Sequence, residues 1–528
     1  MSSTGPRVPD GVVLVGMPAS GKSTVGRVLA RRLRRPFVDI DDLVARRLGV
    51  SVPDFIDSRG ERAFRDEEAQ AVKEALGVVG AVIATGGGTV LDPMNRWLLW
   101  EHGTVAWLDV TPDRIVRRLA ADPVPRPTFQ PYRRETMART LADRTFAYRA
   151  ADVRIDASGT PAAVASELAS LASPRPSGKR LFDGEIPRNH PVGPHTTRLV
   201  MGLNHLSMAD INGFFIVDRR LAKVAPDVLK AVSPSHVLEV TSGERAKRLR
   251  SVERILEELS RAGVERGTPL IAVGGGTIGD LVGTAAALYA RGLPLIHVPI
   301  TWLAQADSAI GGKVAVDLGQ AKNAAGAFWP PIAIFSELAA LRTLPISSRR
   351  DGMAECIKTG MIGDPVLWRL IEERGAPALR RDEASRYAII ERSARLKLAI
   401  CERDPFETGE RRTLNLGHTI GHALEIESGY RLKHGAAVAL GMRAVAVISA
   451  RRGADPDLVH RQDNLLASLG YRMHHAFDVA AVRSAMLRDK KREAGRQRWI
   501  LPMEIGRVIE VDDVTTEEVS AALKAIRA

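Results

Sequence analysis

Cysteine is nearly absent: two thiols, Cys356 and Cys401, stand in 528 residues. They cannot build a disulfide framework, and they fit a reducing cytoplasm. Aromatic residues are scarce too, at 5% of the chain. The arginines are therefore not interleaved with rings; they fall on helical patterns such as ARRLRR at 30–35 and RIVRRLA at 114–120. The net charge of +13 is open to a nucleic-acid reading, but this scatter of arginines without aromatics favours sites for anionic small molecules. No run of 18 or more apolar residues is free of charge, which argues against a membrane span. No basic region precedes the first apolar run, GVVLVG at 11–16, which flows into a motif; it reads as a strand and not a secretion signal.

A length of 528 residues suggests about three domains. From 11 to about 172, short apolar strands (VVLVG, PFVDID, AVIATGG, TVAWLDV, DVRID) alternate with amphipathic stretches, the pattern of a parallel sheet flanked by helices. Residues 173–194 are rich in proline, glycine and charge and read as a linker. The alternation resumes with FFIVD, HVLEV, PLIAVGGG and PLIHVPI; from about 339 long helical patterns replace it. TGGGTV at 85–90 and VGGGTI at 273–278 look like a repeat, but the two halves share no other period. The common cause is the missing Cβ, which lets backbone N–H groups approach an oxygen-rich ligand.

Gly16-Met17-Pro18-Ala19-Ser20-Gly21-Lys22-Ser23 matches GxxxxGK[ST] between a strand and a helical pattern, a phosphate-cradling loop. Four further features follow in order: Asp39-Ile40-Asp41-Asp42, GERAFR with Arg65 and then Glu68, Gly86-Gly87-Gly88, and Arg144 with Tyr148 in DRTFAY. Together they resemble shikimate kinase across nearly all of 11–172. The resemblance implies ATP on Gly16, Ala19, Ser20, Gly21, Lys22, Ser23 and Thr24, with Arg126 on the lid and Mg²⁺ near Ser23 and Asp39. It implies shikimate on Asp41, Arg65, Gly86, Gly87, Gly88 and Arg144, with Asp41 positioning or deprotonating the reacting hydroxyl. Where the family usually writes an RPLL-like lid, this chain has Arg126-Pro127-Thr128-Phe129.

In the second half, GGGTIGD follows a strand without the lysine of a P-loop. His418 and His422 are four residues apart, on one helix face. His434 follows, and no HExxH is present. A carboxylate must come from elsewhere, and Glu355 in GMAECIK, with Lys358 one turn on, is the candidate for a two-histidine, one-carboxylate Zn²⁺ site. Lys313, Lys322, Lys397, Arg411, Lys490 and Lys491 suggest a substrate carrying phosphate and carboxylate.

SGERAK, GGGTIGD, LAQADSAIGGK, GQAKNAAGAF, LNLGHTIGHALE and the HG at 434–435 look like 3-dehydroquinate synthase over most of 195–528. The resemblance implies NAD⁺ on Glu244, Lys247, Gly275, Gly276, Thr277, Asp280 and Lys322, with Thr301 and Thr343 near the adenosine. It implies Zn²⁺ or Co²⁺ on Glu355, His418 and His434. The substrate, 3-deoxy-arabino-heptulosonate 7-phosphate, would meet Asp307, Lys313, Asn323, Lys358, Lys397, Arg411, Asn415, His422 and Lys490, with His422 as proton relay. Departures from the family's PTTLL and TLPxRE fall at Ile300, Trp302 and Ser348, which the resemblance puts on the cofactor side.

The expected architecture is α/β throughout: a P-loop, NMP-kinase-like parallel-sheet domain over 1–172, a linker over 173–194, a Rossmann-like NAD-binding domain over 195–338, and an all-helical metal- and substrate-binding domain over 339–528. The expected function is bifunctional, phosphorylation of shikimate and formation of 3-dehydroquinate. Expected partners are small molecules, with a homodimer through the second half and neither nucleic acid nor membrane. Two alternatives stay open for the second half: cyclisation of another sugar phosphate, or a non-catalytic module.

Overall fold

The computed structural model describes residues 11–121, 131–171, 178–190, 193–208, 211–232, 237–319, 321–487, 492–493 and 496–528. The chain divides into two compact units, 1–185 with 199–208, and 186–198 with 209–528.

The first unit is built on five strands: Gly11–Val15 (β1), Phe37–Asp39 (β2), Val82–Ala84 (β3), Gly103–Asp109 (β4) and Val153–Asp156 (β5). They form one parallel sheet in the order β2-β3-β1-β4-β5. GVVLV in β1 is buried along its whole length, as an unbroken apolar run must be in a central strand covered on both faces. The order places the ends of β1 and β3, and hence the P-loop and the first glycine triplet, side by side.

The segment expected to be a linker carries regular structure: Lys179–His190 (β6) is followed by Gly193–Leu203 (β7). Backbone pairing overrides composition here; Arg198 donates its N–H to the Ile332 carbonyl at 3.0 Å.

The second unit holds a parallel run of Phe214–Asp218 (β8), Val237–Val240 (β9), Leu270–Gly274 (β10), Leu295–Pro299 (β11) and Ala333–Glu337, in the order given by its pairings: the last beside β11, then β10, β8 and β9. Helix Leu249–Arg261 buries Val252, Ile255 and Leu259, spaced three and four apart, against this sheet's core. An antiparallel hairpin, Lys313–Leu318 (β12) with Ala321–Phe328 (β13), precedes the Ala333–Glu337 strand (β14). Helices then dominate, from Ile346–Gly363 to Thr516–Ile526. The expectation of an all-helical ending needs correction: Arg492–Glu493 (β15) pairs with Arg496–Gln497 (β16), and Trp499–Glu504 (β17) pairs with Arg507–Val511 (β18). WILPME is short and buried at four successive positions, a signal too brief to separate from a helix by period. No helix among the described residues is long and apolar enough to cross a membrane.

Candidate active sites

In the first unit the P-loop leaves β1 and enters helix Lys22–Leu33. Gly16 (φ +144°) and Gly21 (φ +101°) occupy backbone conformations that side chains rarely adopt. The loop wraps the Lys22 ammonium, which donates to the carbonyls of Gly16 (3.0 Å) and Met17 (2.9 Å). Ser20 Oγ is buried there without a hydrogen-bond partner. A buried orphan hydroxyl beside a lysine and a helix N-terminus fits phosphate oxygens. Arg118 lies in the helical pattern RIVRRLA, to which the sequence assigned no role in the site. It donates to the carbonyls of Ala19 (3.2 Å) and Ser20 (3.0 Å), and only the fold reveals it beside the loop.

The remaining candidates converge next to it. Asp39 caps helix Ile40–Leu48 by accepting from the Asp41 N–H. A Cβ on Gly86 would lie 2.6 Å from Asp41 Oδ1, one on Gly87 2.7 Å from Pro18 Cδ, and one on Gly88 3.4 Å from an Arg65 nitrogen. The triplet thus lets carboxylate, guanidinium and P-loop border one space. Arg65 is held by Glu68 (2.9 Å) and Glu61 (3.1 Å), and Glu68 also accepts from Thr89 Oγ1 (2.8 Å). Tyr148 donates to the Gly87 carbonyl at 2.6 Å. Burial pushes its phenol up to about 12, against the pull of the neighbouring Arg144, so it remains a donor. Arg126 lies outside the described residues.

In the second unit one cavity of about 1360 Å³ is lined by residues from both the glycine turn and the histidine helix. Glu244, Lys247, Gly275, Gly276, Thr277, Asp280, Thr301, Lys322 and Thr343 line it, as do Asp307, Lys313, Asn323, Lys358, Lys397, Arg411, Asn415, His418, His422 and His434. Lys490 lies outside the described residues.

At the glycine end, helix Gly276–Leu288 starts directly after β10. A Cβ on Gly276 would meet Ser308 Oγ at 2.9 Å, and one on Gly275 would meet Thr301 at 3.1 Å. Ser308 Oγ is buried and unpartnered. A bare helix N-terminus with an orphan hydroxyl suits a pyrophosphate. Lys247 pairs with Asp280 at 2.6 Å and donates to Asn323 Oδ1. Burial pushes the Asp280 carboxyl up against the pull of Lys247. Asp218, at the end of β8, accepts from Ser242 Oγ at 2.6 Å and lines the same end. No motif flagged it; an acidic residue closing a strand beside a glycine turn was the available signal.

At the other end, Glu355 comes from helix Ile346–Gly363, His418 opens helix His418–Glu427 and His434 opens helix His434–Arg451. Glu355, 0% exposed, places Oε1 3.4 Å from His418 Nε2 and 3.0 Å from His434 Nε2. One ligand atom from each lies within 4.8 Å of the others. His418 Nδ1 faces the Leu416 carbonyl at 3.0 Å, which assigns the proton to Nδ1 and leaves Nε2 for the cluster. Burial raises the Glu355 carboxyl, yet the Lys358 charge beside it holds it well below its usual range. A carboxylate, two imidazoles and a desolvated setting fit Zn²⁺ or Co²⁺.

Cations line the wall between the two ends. Lys358 pairs with Glu355 and lies 3.8 Å from Asp307; Lys397 reaches Asp307 Oδ1 at 3.0 Å. A π-helical turn over Ala304–Ser308 presents Asp307. Arg411, 1% exposed, donates to the carbonyls of Gly311 (2.8 Å) and Pro405 (2.5 Å), so it is a fixed positive wall. Glu407, at φ +60°, was not singled out from the sequence; it pairs with Lys313 and accepts from Asn415 at 2.8 Å. The pocket walls pull the Lys313 ammonium down to about 8, although 43% of its side chain reaches solvent. Ile300 and Ser348 line the cavity as expected, but Trp302 does not. It is fully buried, with its indole N–H 3.3 Å from Cys356 Sγ, under the helix that carries Glu355. Gly352 of that helix makes room for the indole: a Cβ there would lie 2.6 Å from Trp302 Cδ1.

The shikimate kinase family model matches residues 18–172. Those of the 3-dehydroquinate synthase N-terminal and C-terminal regions match 237–351 and 352–492. The chain is 38% identical over 296 residues to the 3-dehydroquinate synthase of Dictyoglomus thermophilum, covering 56% of this chain and 83% of that protein. It is 41% identical over 286 residues to that of Xanthomonas campestris, covering 52% and 77%. Among solved structures it is similar to 2-epi-5-epi-valiolone synthase from Streptomyces hygroscopicus with NAD⁺ and Zn²⁺ bound, at TM-score 0.59, 26% identity, 62% of this chain and 95% of that one. It is also similar to 2-deoxy-scyllo-inosose synthase complexed with carbaglucose-6-phosphate, NAD⁺ and Co²⁺, at TM-score 0.60, 25% identity, 65% and 100%.

Proposed function

The chain belongs to the 3-dehydroquinate synthase family and carries a shikimate kinase domain ahead of it, and we propose from this premise which of its residues perform the two reactions. In the kinase unit, the P-loop amides, Lys22 and Arg118 receive the ATP phosphates, and Ser23 and Asp39 hold Mg²⁺. Arg65 and Arg144 grip the shikimate carboxylate, because a guanidinium fork pairs with it at two points. Asp41 accepts the proton of the attacking hydroxyl, and Gly86 keeps room for the ring beside that carboxylate.

In the synthase unit, Glu355, His418 and His434 hold Zn²⁺ or Co²⁺, and the glycine turn with Asp218, Glu244, Lys247 and Asp280 holds NAD⁺. When bound, the metal polarises the substrate oxygen and the nicotinamide takes and returns one hydride, so no net redox change results. The chain's own residues supply the rest. Lys313, Lys358, Lys397 and Arg411 receive the phosphate and carboxylate and stabilise negative charge as phosphate leaves. Asp307, between Lys358 and Lys397, keeps both ammonium groups on the cavity wall. His422 moves a proton at the reacting carbon; its ring lies 5.1 Å from that of His418, which supports this role.

The observation that carries this reading is that one cavity is bordered by the glycine turn, the cation wall and the histidine cluster together. The other sugar-phosphate reading keeps one supporting fact, the likeness to the valiolone and inosose synthases at 26% and 25% identity. The 3-dehydroquinate synthases, at 38% and 41%, outweigh it. Phosphate release from 3-deoxy-arabino-heptulosonate 7-phosphate by the purified chain with Zn²⁺ is the test. Release should require NAD⁺ and vanish in His418→Ala; release from other sugar phosphates alone would favour the second reading. Two buried unpaired cysteines accord with a cytoplasmic location. The expected homodimer is checked by sedimentation.

A further inference from the structure

Glu425 ends the segment LNLGHTIGHALE and is the third member of a face: His418, His422 and Glu425 follow one another at four and three residues along one helix. Its carboxylate is 3% exposed. Nothing in the reactions above uses it, yet a buried carboxylate is costly unless it is paired and hydrogen-bonded. Its Oε1 lies 3.3 Å from His434 Nδ1 and 3.1 Å from Lys322 Nζ. The other nitrogen of the same imidazole, Nε2, faces Glu355 Oε1 at 3.0 Å. The two ring nitrogens diverge, so one imidazole is held between two carboxylates on opposite sides. Lys322 is itself anchored by Glu244 at 3.2 Å.

We propose that Glu425 is a positioning residue for the metal centre: it accepts the Nδ1–H of His434 and so fixes the tautomer and ring orientation that turn Nε2 toward Glu355 and His418. The inference rests on the metal site proposed above. Glu425 also groups with His422 and His434 closely enough to hold a cation, but the Lys322 ammonium already lies 3.1 Å from its Oε1, and a metal there would meet that charge. Lys322 instead neutralises the carboxylate, so its pairing with His434 adds no net charge to the buried site. Outer partners of this type raise the basicity of the ligand nitrogen and hold the ring in place before the metal arrives.

The test is the affinity of the full-length, metal-stripped chain for Zn²⁺ alone, by competition with a chromophoric chelator. Variants are Glu425→Ala, Glu425→Gln, His434→Ala, His418→Ala and the double His434→Ala/Glu425→Ala. Glu425→Ala should weaken binding roughly 10- to 100-fold. Glu425→Gln keeps the shape and an acceptor oxygen, should fold if the alanine does not, and should weaken binding less but measurably. In the His434→Ala background the second substitution should change affinity by no more than about twofold, because an effect transmitted through His434 disappears with it. Wild-type affinity in both Glu425 variants would overturn the proposal. So would a double variant weakened by the full product of the single effects, which would make Glu425 an independent ligand or a structural residue. His418→Ala separates the two levels: if it leaves Zn²⁺ affinity unchanged, the metal reading itself fails and the proposal with it.

Discussion

Lys313 shows how a single residue's surroundings set its chemistry. Its ammonium titrates at about 8, pulled down by the pocket walls against the opposing charge of Glu407. Below that pH it is charged and attracts phosphate or carboxylate; above it the attraction is lost. With NAD⁺ and Zn²⁺ saturating, kcat/KM of the synthase reaction should therefore fall as pH rises through about 8. Lys313→Arg should remove that limb, since arginine keeps its charge; a limb that persists would belong to another group. On the kinase side, Asp41 lies against Gly86, where the reacting hydroxyl would sit. Asp41→Asn should lower kcat of shikimate phosphorylation by roughly 10²–10⁴-fold with little change in the KM for ATP, the usual loss when a general base is removed.

Helices bring the candidate metal ligands together by packing closer than ordinary side chains allow. A Cβ on Gly441 would stand 1.9 Å from the Gly417 carbonyl oxygen, and one on Gly421 3.1 Å from that of Ala437. This small-residue seam joins the helix of His418 and His422 to the helix opened by His434. Gly441→Ala has no free rotamer to relieve the clash, so the helices must part. Stability should drop by about 3 kcal/mol, read from urea unfolding of the second unit, and Zn²⁺ should bind more weakly although no ligand is touched. Equal unfolding midpoints for variant and parent would show that the seam yields without cost. The hairpin β12–β13 uses the same device, since a Cβ on Gly283 would meet Val314 at 2.3 Å; it thereby brings Lys313 and Asn323 to the cavity.

Across the whole molecule the described residues of each candidate site fall within one unit: the P-loop and its neighbours in the first, and the cavity lining in the second. Lys22→Met should reduce phosphorylation of shikimate by roughly 10²–10³-fold, the loss typical of removing one charge-stabilising donor, and leave phosphate release by the synthase intact. His418→Ala should do the reverse. The two steps are not consecutive in their pathway, so the fusion is expected to couple expression and not to pass substrate. An equimolar mixture of the two singly inactivated chains, with the intervening enzymes supplied, should show the same lag as the parent at equal active-site concentration. A shorter lag for the parent would mean transfer within one chain.

Local backbone chemistry was legible from the residues alone. GxxxxGK[ST] between strand and helix, the glycine triplets, and histidines four apart are short-range patterns whose geometry follows from chain stereochemistry, so the P-loop, the second glycine turn and the histidine face lie where the spacing placed them. The α/β alternation was equally readable, because buried parallel strands announce themselves as unbroken apolar runs. Proline, glycine and charge around residues 179–190 and the brief WILPME misled, since pairing with a neighbour, invisible in one dimension, made strands of both. Tertiary structure alone brought Arg118 to the P-loop, put Glu407 between Lys313 and Asn415, and set Trp302 in the core against Cys356. It also set Glu425 behind His434. These are contacts between residues far apart in sequence or on different elements. Volume, charge pairing and the closeness permitted by glycine decide them, and none of these leaves a period in the chain.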